Sequence, residues 1–430
     1  MANGRAICVF LSQDVAVGRC TRTSTGDDGD GNTKRVPALD GIRGIAILLV
    51  LIDHLAPYAP VSWGIWRLAM GAGWVGVDLF FVLSGFLITG ILLRTKAASN
   101  RAPSFYARRA LRIFPIYYLV LLIAFSIAGH SAWLRSNLPS PAFRITYFAY
   151  LQNLFMYHGP GFIPTNILGH FWSLAVEEQF YLVWPWLVWI LPGRILPRVC
   201  VVGAICSLFV RTALVIHFGP HFWISALTPT SGDGLLVGSA IAAVGATGEF
   251  PARWLRRMAL AGASTLALIA MLHAREFANT DTGFLACTIG ISGLAVLFGA
   301  LVGSSRRFVP VLTPILKSSP LRSLGKYSYG VYVYHIPVYM TTSYFAASAL
   351  GISISQLSTA CAFAYLSFLV ALSIAVAWAS FALFEGRLLD LKEHFGPIYR
   401  TTHILETRSA AVSGARAMTI ANYLKDTPAD

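Results

Sequence analysis

Long apolar segments recur along almost the whole chain, and they limit what it can fold into more than any other feature. Apolar residues make up 56% of the 430 residues and charged residues only 12%, too little charge to cover the surface of a soluble protein of this length. A helix needs about 20 apolar residues to cross the hydrocarbon of a bilayer, and shorter segments are accommodated by tilt or thinning. Ten segments fit, near residues 40–56, 73–93, 110–129, 171–191, 199–217, 232–247, 255–273, 283–302, 327–349 and 356–384. The sequence therefore predicts an all-α fold, a polytopic membrane helical bundle of about ten transmembrane helices.

The basic residues are distributed as membrane topology requires, which argues against nucleic-acid binding as the reason for the net charge of +14. With a cytoplasmic amino terminus, ten alternating spans place only Arg67, Arg135, Arg144 and Arg275 in outer loops. Arg211 falls inside a span, and the other basic residues fall in inner tails and loops or at the inner ends of spans. Cytoplasmic loops of membrane proteins carry such an excess of Lys and Arg. We expect a multi-pass protein of the inner (cytoplasmic) membrane with both termini in the cytoplasm and no nucleic-acid partner.

The ends of the chain differ in composition from the apolar part. The run GDDGDGN at 26–32 belongs to a class of sequence that orders poorly. We therefore expect a disordered cytoplasmic tail at 1–35, a membrane domain at 36–392 and a polar cytoplasmic tail at 393–430. The six cysteines form no Cys-x-x-Cys pair, so the sequence indicates neither a metal site nor a disulfide framework.

Two ionisable residues stand out in the first apolar segment. On a helix, Arg43 and His54 lie on nearly the same face, about 16 Å apart along the axis. Ionisable groups inside a membrane are costly, which favours a functional role for them. The adjacent Asp53 cannot face His54, because neighbours on a helix point in different directions. A carboxylate from another segment is the expected partner of His54, with Glu178 as the first choice and Glu177 as the second.

A group of arginines precedes the third segment. Arg108, Arg109 and Arg112 are spaced so that a helix displays them as a compact cluster of guanidinium groups. Arginine suits bidentate binding of phosphate. Taken alone, the cluster is better explained as a cytoplasmic anchor that follows the positive-inside rule; a role in binding an anionic substrate is the alternative.

Three further polar residues are candidates for binding donor or substrate. Asp78 lies near the outer end of the second segment, among small residues that favour close helix packing, and a helix-end carboxylate explains it equally well. Tyr327 and His335 lie in the ninth segment. We expect His335 to be a polar contact inside the bundle, a position that a purely structural hydrogen bond would also account for.

Five motifs, in this order along the chain, resemble those of the acyltransferase-3 family of integral membrane O-acyltransferases. They are LDGIRG at 39–44 leading to His54, and the stretches 76–86, 105–115, 171–181 and 327–335. The resemblance covers about residues 36–392. It implies transfer of acyl groups, commonly acetyl from acetyl-CoA, to hydroxyls of surface polysaccharide, lipid-linked sugars, peptidoglycan or secondary metabolites. It also implies that the counterpart of His54 is catalytic, that the counterpart of Arg43 is essential, and that the cluster at 108–112 contacts the donor.

Two departures from the family pattern are visible. Some relatives carry arginine two residues before the aspartate of the sixth segment, where this chain has Ser231 before Asp233. Many relatives continue into an extracytoplasmic hydrolase-like domain after the last segment. We expect this chain to be a stand-alone form without that domain.

The sequence as a whole predicts an enzyme, a membrane O-acyltransferase with cytoplasmic acyl-CoA, most simply acetyl-CoA, as donor substrate. No permanently bound cofactor or metal is expected. His54 would act as general base, a task that suits its ordinary pKa near 6.5, and Glu178 would orient it. The expected partners are membrane lipid, acyl-CoA and a carbohydrate or lipid-linked glycan acceptor. Two alternatives remain: a proton-coupled small-molecule transporter, and a component that passes acyl groups to a separate transferase.

Overall fold

A computed structural model describes residues 36–156, 166–248, 250–275, 283–305, 307, 309–351 and 357–399. The predicted tail at 1–35 and residues 400–430 of the predicted carboxyl-terminal tail lie outside the described residues. The structural statements that follow concern the described part of the chain.

Helices make up the regular structure throughout the described ranges, which contain no strand. Ten long helices form the body of the protein there. They are α1 (Pro37–Leu55), α2 (Val75–Arg94), α3 (Arg101–Ile127), α4 (Trp172–Ile190), α5 (Leu196–Phe218), α6 (Thr228–Gly245), α7 (Ala252–Arg275), α8 (Ile291–Ser304), α9 (Ser319–Leu350) and α10 (Thr359–Ser380). Each predicted apolar segment overlaps one of them. The all-α prediction is confirmed.

Short helices and turns connect the long ones. The short α-helices of at least five residues are Ile65–Met70, Ala132–Ser136, Pro141–Phe148, Leu312–Leu316 and Gly386–Asp390. Two π-helical turns, Ala286–Gly290 and Phe381–Glu385, lie directly before α8 and directly after α10. Such turns are rare and occur often at functional sites.

Five helical stretches of the described chain are long and apolar enough to cross a membrane: Ile65–Arg94, Arg101–His130, Leu196–Phe218, Gly283–Ser304 and Thr359–Phe395. Several other long helices carry charged residues that lower their hydropathy, as α1 does with Asp40, Arg43 and Asp53, and α4 with its two glutamates. The chain is therefore a helical membrane protein. The number of crossings, about ten, stays a prediction.

Helices α1 and α9 pack with their backbones in contact. A Cβ atom added at Gly44 would overlap the carbonyl oxygen of Leu321, and one added at Gly325 would overlap the carbonyl oxygen of Asp40. Small residues allow membrane helices to approach in this way. The close crossing places the face of α1 that carries Arg43 and His54 against the polar residues of α9.

Candidate active site

A cavity of about 160 Å³ lies between α1, α2, α3, α4 and α9. Most of its apolar lining residues lie on α2, and most of its polar ones lie on the other four helices. The polar lining residues are Arg43, Ser84, Arg109, Arg112, Ser173, Glu177, Ser328, Tyr329 and Tyr332. Three of the nine carry a positive charge and one carries a negative charge, so the cavity favours an anionic ligand.

The three arginines of the cavity come from two helices. Arg43 forms a salt bridge with Asp40, with 3.0 Å between Nη1 and Oδ1. The guanidinium group of Arg109 lies 3.9 Å from the centre of the Tyr181 ring, a cation–π contact. Arg112 is close enough to Arg43 and Arg109 for their charges to repel it. Its side chain is exposed and faces the cavity.

The two glutamates of α4 lie near Arg109. Glu177 lines the cavity and is within electrostatic reach of Arg109. Glu178 also acts on Arg109, and its Oε1 atom is buried without a hydrogen bond in the described chain. This placement differs from the expected pairing of His54 with Glu178 or Glu177. The reason is that α4 packs against α2, whereas the ring of His54 faces α9.

The partner of His54 is a second histidine. Nδ1 of His54 lies 2.9 Å from the carbonyl oxygen of Val50 and 3.3 Å from Nε2 of His335. Nδ1 of His335 lies 2.6 Å from the carbonyl oxygen of Tyr332. A carbonyl oxygen only accepts, so Nδ1 of His335 donates to Tyr332 and Nδ1 of His54 donates to Val50. Nε2 of His335 is a second, longer acceptor of the same His54 hydrogen. This hydrogen-bond network assigns the lone pair of His54 to Nε2, the atom that a general base needs.

A third histidine, His170, completes a cluster that the sequence did not reveal. The centre of its ring lies 4.9 Å from that of His335 and 6.5 Å from that of His54. The side chain is buried, and neither ring nitrogen is in hydrogen-bonding geometry with another described residue. His170 directly precedes the motif at 171–181, and that position was the only signal that could have drawn attention to it.

Tyr332 connects the cavity with the histidine cluster. Its hydroxyl donates to the carbonyl oxygen of His170 over 2.8 Å and also contacts the hydroxyl of Ser173. Both Tyr332 and Ser173 line the cavity, and the Tyr332 ring lies 5.6 Å from that of His335, centre to centre. Tyr332 therefore borders both the arginine-lined cavity and the histidine cluster.

Two predicted site residues lie elsewhere. Tyr327 packs against Phe381 and lies under the ammonium group of Lys326, outside the cavity lining. Arg108, the remaining member of the predicted arginine cluster, is likewise not a lining residue of the described cavity. Tyr327 faces away because its neighbours Ser328 and Tyr329 occupy the side of α9 that borders the cavity.

Asp78 belongs to a separate polar group on α2, α5, α6 and α8. Arg211 and Asp233 form a buried salt bridge there, with 2.8 Å between Nη2 and Oδ2, and Ser292 donates to the same carboxylate over 2.6 Å. Asp78 lies within electrostatic reach of this pair. The guanidinium group that pairs with Asp233 thus comes from another helix, through Arg211.

A family model described as an acyltransferase domain matches residues 36–384. This chain belongs to the acyltransferase-3 family. It is 31% identical to the peptidoglycan O-acetyltransferase OatA of Listeria monocytogenes over 314 residues, 69% of this chain and 48% of that protein. It is also 31% identical to the putative peptidoglycan O-acetyltransferase YrhL of Bacillus subtilis over 49% of this chain and 33% of that protein. The O-acetyltransferase OatA of Staphylococcus aureus is 29% identical over 48% of this chain and 34% of that protein.

This acyltransferase-3 chain spans about half or less of the length of these curated relatives. No solved structure matches it.

Proposed function

We propose that this protein is a membrane O-acetyltransferase that moves an acetyl group from acetyl-CoA to a hydroxyl of a cell-surface glycan, with peptidoglycan as the first acceptor to test. Membership of the family supports acyl transfer, and the relatives named as O-acetyltransferases support acetyl as the group and a glycan as the acceptor. The observation that carries the proposal is the arrangement of the cavity. Three guanidinium groups line it, and Tyr332 borders both it and a histidine pair whose hydrogen bonds leave Nε2 of His54 available as a base.

Donor binding in this proposal uses the positive charge of the cavity. Acyl-CoA is a polyanion, and Arg109 and Arg112 offer it planar groups that bind phosphate bidentately. Arg43, held by Asp40, faces the same space from α1. We place this end of the bundle on the cytoplasmic side of the inner membrane, where acyl-CoA is found and where the positive-inside rule predicts these residues to lie.

The reaction then takes place at the histidine end. Nε2 of His54 removes the proton of the acceptor hydroxyl as the hydroxyl oxygen attacks the thioester carbonyl. The C–S bond then breaks, and the thiolate of CoA takes up the proton that His54 holds, which returns His54 to its neutral form. His335 is a positioning residue, because its Nε2 shares the Nδ1 hydrogen of His54 with the carbonyl oxygen of Val50, and the two acceptors together hold the ring in one tautomer. General-base catalysis of this kind contributes about 10²- to 10⁴-fold to the rate.

The test is transfer of labelled acetyl from acetyl-CoA to peptidoglycan fragments by the purified full chain in lipid nanodiscs. His54→Ala is expected to lower kcat by about 10²- to 10⁴-fold. His130→Ala is the matched control, since it removes an exposed histidine at the far end of α3. Transfer at a near-normal rate by His54→Ala, at equal protein level, would refute the assignment of the base.

The same preparation separates the two alternative functions. If the chain takes up acetyl from acetyl-CoA but releases it to glycan only when a second protein is added, it is a relay component. Solute uptake into vesicles without any acyl donor would instead indicate a transporter. Transfer to glycan by the chain alone supports the enzyme.

A further inference from the structure

The segment that follows the last long helix is fastened to the start of α3. We name residues 391–399 the strap. Nδ2 of Asn100 donates to the carbonyl oxygen of Gly396 over 2.9 Å, and the amide of Ile398 donates to Oδ1 of Asn100 over 2.7 Å. The amide of Ser99 donates to the carbonyl oxygen of Ile398 over 2.9 Å. Both polar side-chain atoms of Asn100, Nδ2 and Oδ1, therefore form hydrogen bonds with the strap.

The strap crosses the face of α3 that carries two arginines of the predicted cluster. Ser104, Arg108 and Arg112 are spaced four residues apart, so they share one face of the helix. The hydroxyl of Ser104 donates to the carbonyl oxygen of Phe395 over 2.7 Å. The chain just before Phe395 must therefore pass close to the two arginines.

The strap also begins beside the cavity. Glu385, in the π-helical turn that leads to it, lies against Gly330 of α9. Glu385 is also within electrostatic reach of Tyr329 and Arg112, which both line the cavity. The chain between Glu385 and the strap thus runs from the cavity wall to α3.

Lys392 of the strap faces the arginines. Its half-buried side chain is close enough to Arg108, Arg109 and Arg112 for their charges to repel it. In the described chain Lys392, Arg109 and Arg112 take no part in a salt bridge. Glu177 and Glu385 are within electrostatic reach of Arg112 and offset part of this positive charge. The positive charge that remains in this partly desolvated place favours a bound polyanion.

We propose that the strap forms one wall of a site for the phosphate groups of the donor, and that Lys392 binds phosphate there opposite Arg108 and Arg112. This inference rests on the proposed function, because acyl-CoA supplies the phosphates. It adds a residue that follows the matched acyltransferase domain to a site whose arginines come from α1 and α3.

The test compares two donors with the purified full chain: acetyl-CoA, and acetyl-pantetheine, which has the same thioester but lacks the nucleotide phosphates. Lys392→Gln is expected to raise KM for acetyl-CoA about tenfold, because one charge-assisted contact to phosphate is lost. Both kcat and the KM for acetyl-pantetheine should stay as in the wild type. Lys392→Arg keeps the charge and should retain most of the affinity for acetyl-CoA.

Lys317→Gln is the matched control. It removes one exposed lysine beside Leu316, which packs against Gly41 at the same end of the bundle as Arg43, and it should leave both KM values unchanged. An unchanged KM for acetyl-CoA in Lys392→Gln overturns the inference. Equal losses with both donors also overturn it, because they indicate a structural role for the lysine.

A direct measurement of CoA binding distinguishes two outcomes: that this inference is wrong, and that the proposed function is wrong. Equilibrium dialysis of labelled CoA needs no acceptor and no turnover. If Arg112→Gln weakens CoA binding and Lys392→Gln does not, the inference is wrong and the proposed function stands. If Lys392→Gln weakens binding about tenfold but the wild-type chain transfers no acetyl group, the phosphate site stands and the proposed activity fails. A wild-type chain that binds no CoA overturns both.

Discussion

The hydrogen bond between His335 and His54 predicts how much kcat should fall when His335 is replaced. Nε2 of His335 accepts from Nδ1 of His54 over 3.3 Å. While His54 is neutral, such a bond contributes about 1 kcal/mol; once His54 has taken a proton from the acceptor, the bond is to a charged group and contributes about 1.5–3 kcal/mol. The difference, about 1.4 kcal/mol, stabilises the transition state relative to the bound substrate. It corresponds to about a tenfold increase in kcat.

His335→Ala should therefore lower kcat about tenfold and leave KM for acetyl-CoA unchanged, since His335 does not line the cavity. His335→Gln retains an acceptor atom near Nδ1 of His54 and should stay within about threefold of the wild type. The assay is steady-state acetyl transfer in nanodiscs, with thermal unfolding to confirm that both variants are folded, because the His335 side chain is fully buried.

A double variant sharpens this test. In a His54→Ala background the bond no longer exists, so adding His335→Ala should cause little further loss. Full activity of folded His335→Ala would show that the bond does not act on the transition state. An additive loss in the double variant would show that His335 acts independently of His54, and either result refutes the reasoning.

Three further outcomes are expected. Arg112→Gln should raise KM for acetyl-CoA about tenfold and reduce its dependence on ionic strength, because an exposed guanidinium group of the cavity is lost; an unchanged salt dependence would argue against phosphate binding. Gly325→Val should prevent α1 from packing on α9 and abolish folded protein, as judged by size-exclusion chromatography, because its Cβ would overlap a backbone oxygen; a normal elution profile would contradict this. Arg211→Met should lower stability by about 3–5 kcal/mol by leaving the Asp233 carboxylate unpaired, and Asp233→Asn in the same chain should restore part of the loss in thermal unfolding; equal stability of the single and double variants would count against the pairing.

Much of the architecture could be predicted from the sequence, because a membrane restricts the choice of structure so strongly. Backbone polar groups in lipid must be satisfied within the segment, so a long apolar stretch has to be helical. The positions of all ten long helices followed from this rule. The same local reasoning placed Arg43 and His54 on one face of α1, and grouped Arg109 with Arg112 on α3.

The partners of these residues were decided only by the tertiary structure. Helical periodicity tells which side chains share a face, but it does not tell which other helix that face meets. His54 meets His335 because glycines bring α1 and α9 into backbone contact, whereas Glu178 lies within electrostatic reach of Arg109 on α3. For the same reason, the proximity of Lys392 to arginines almost 300 positions away in the chain depends on how the helices pack, which local pattern does not specify.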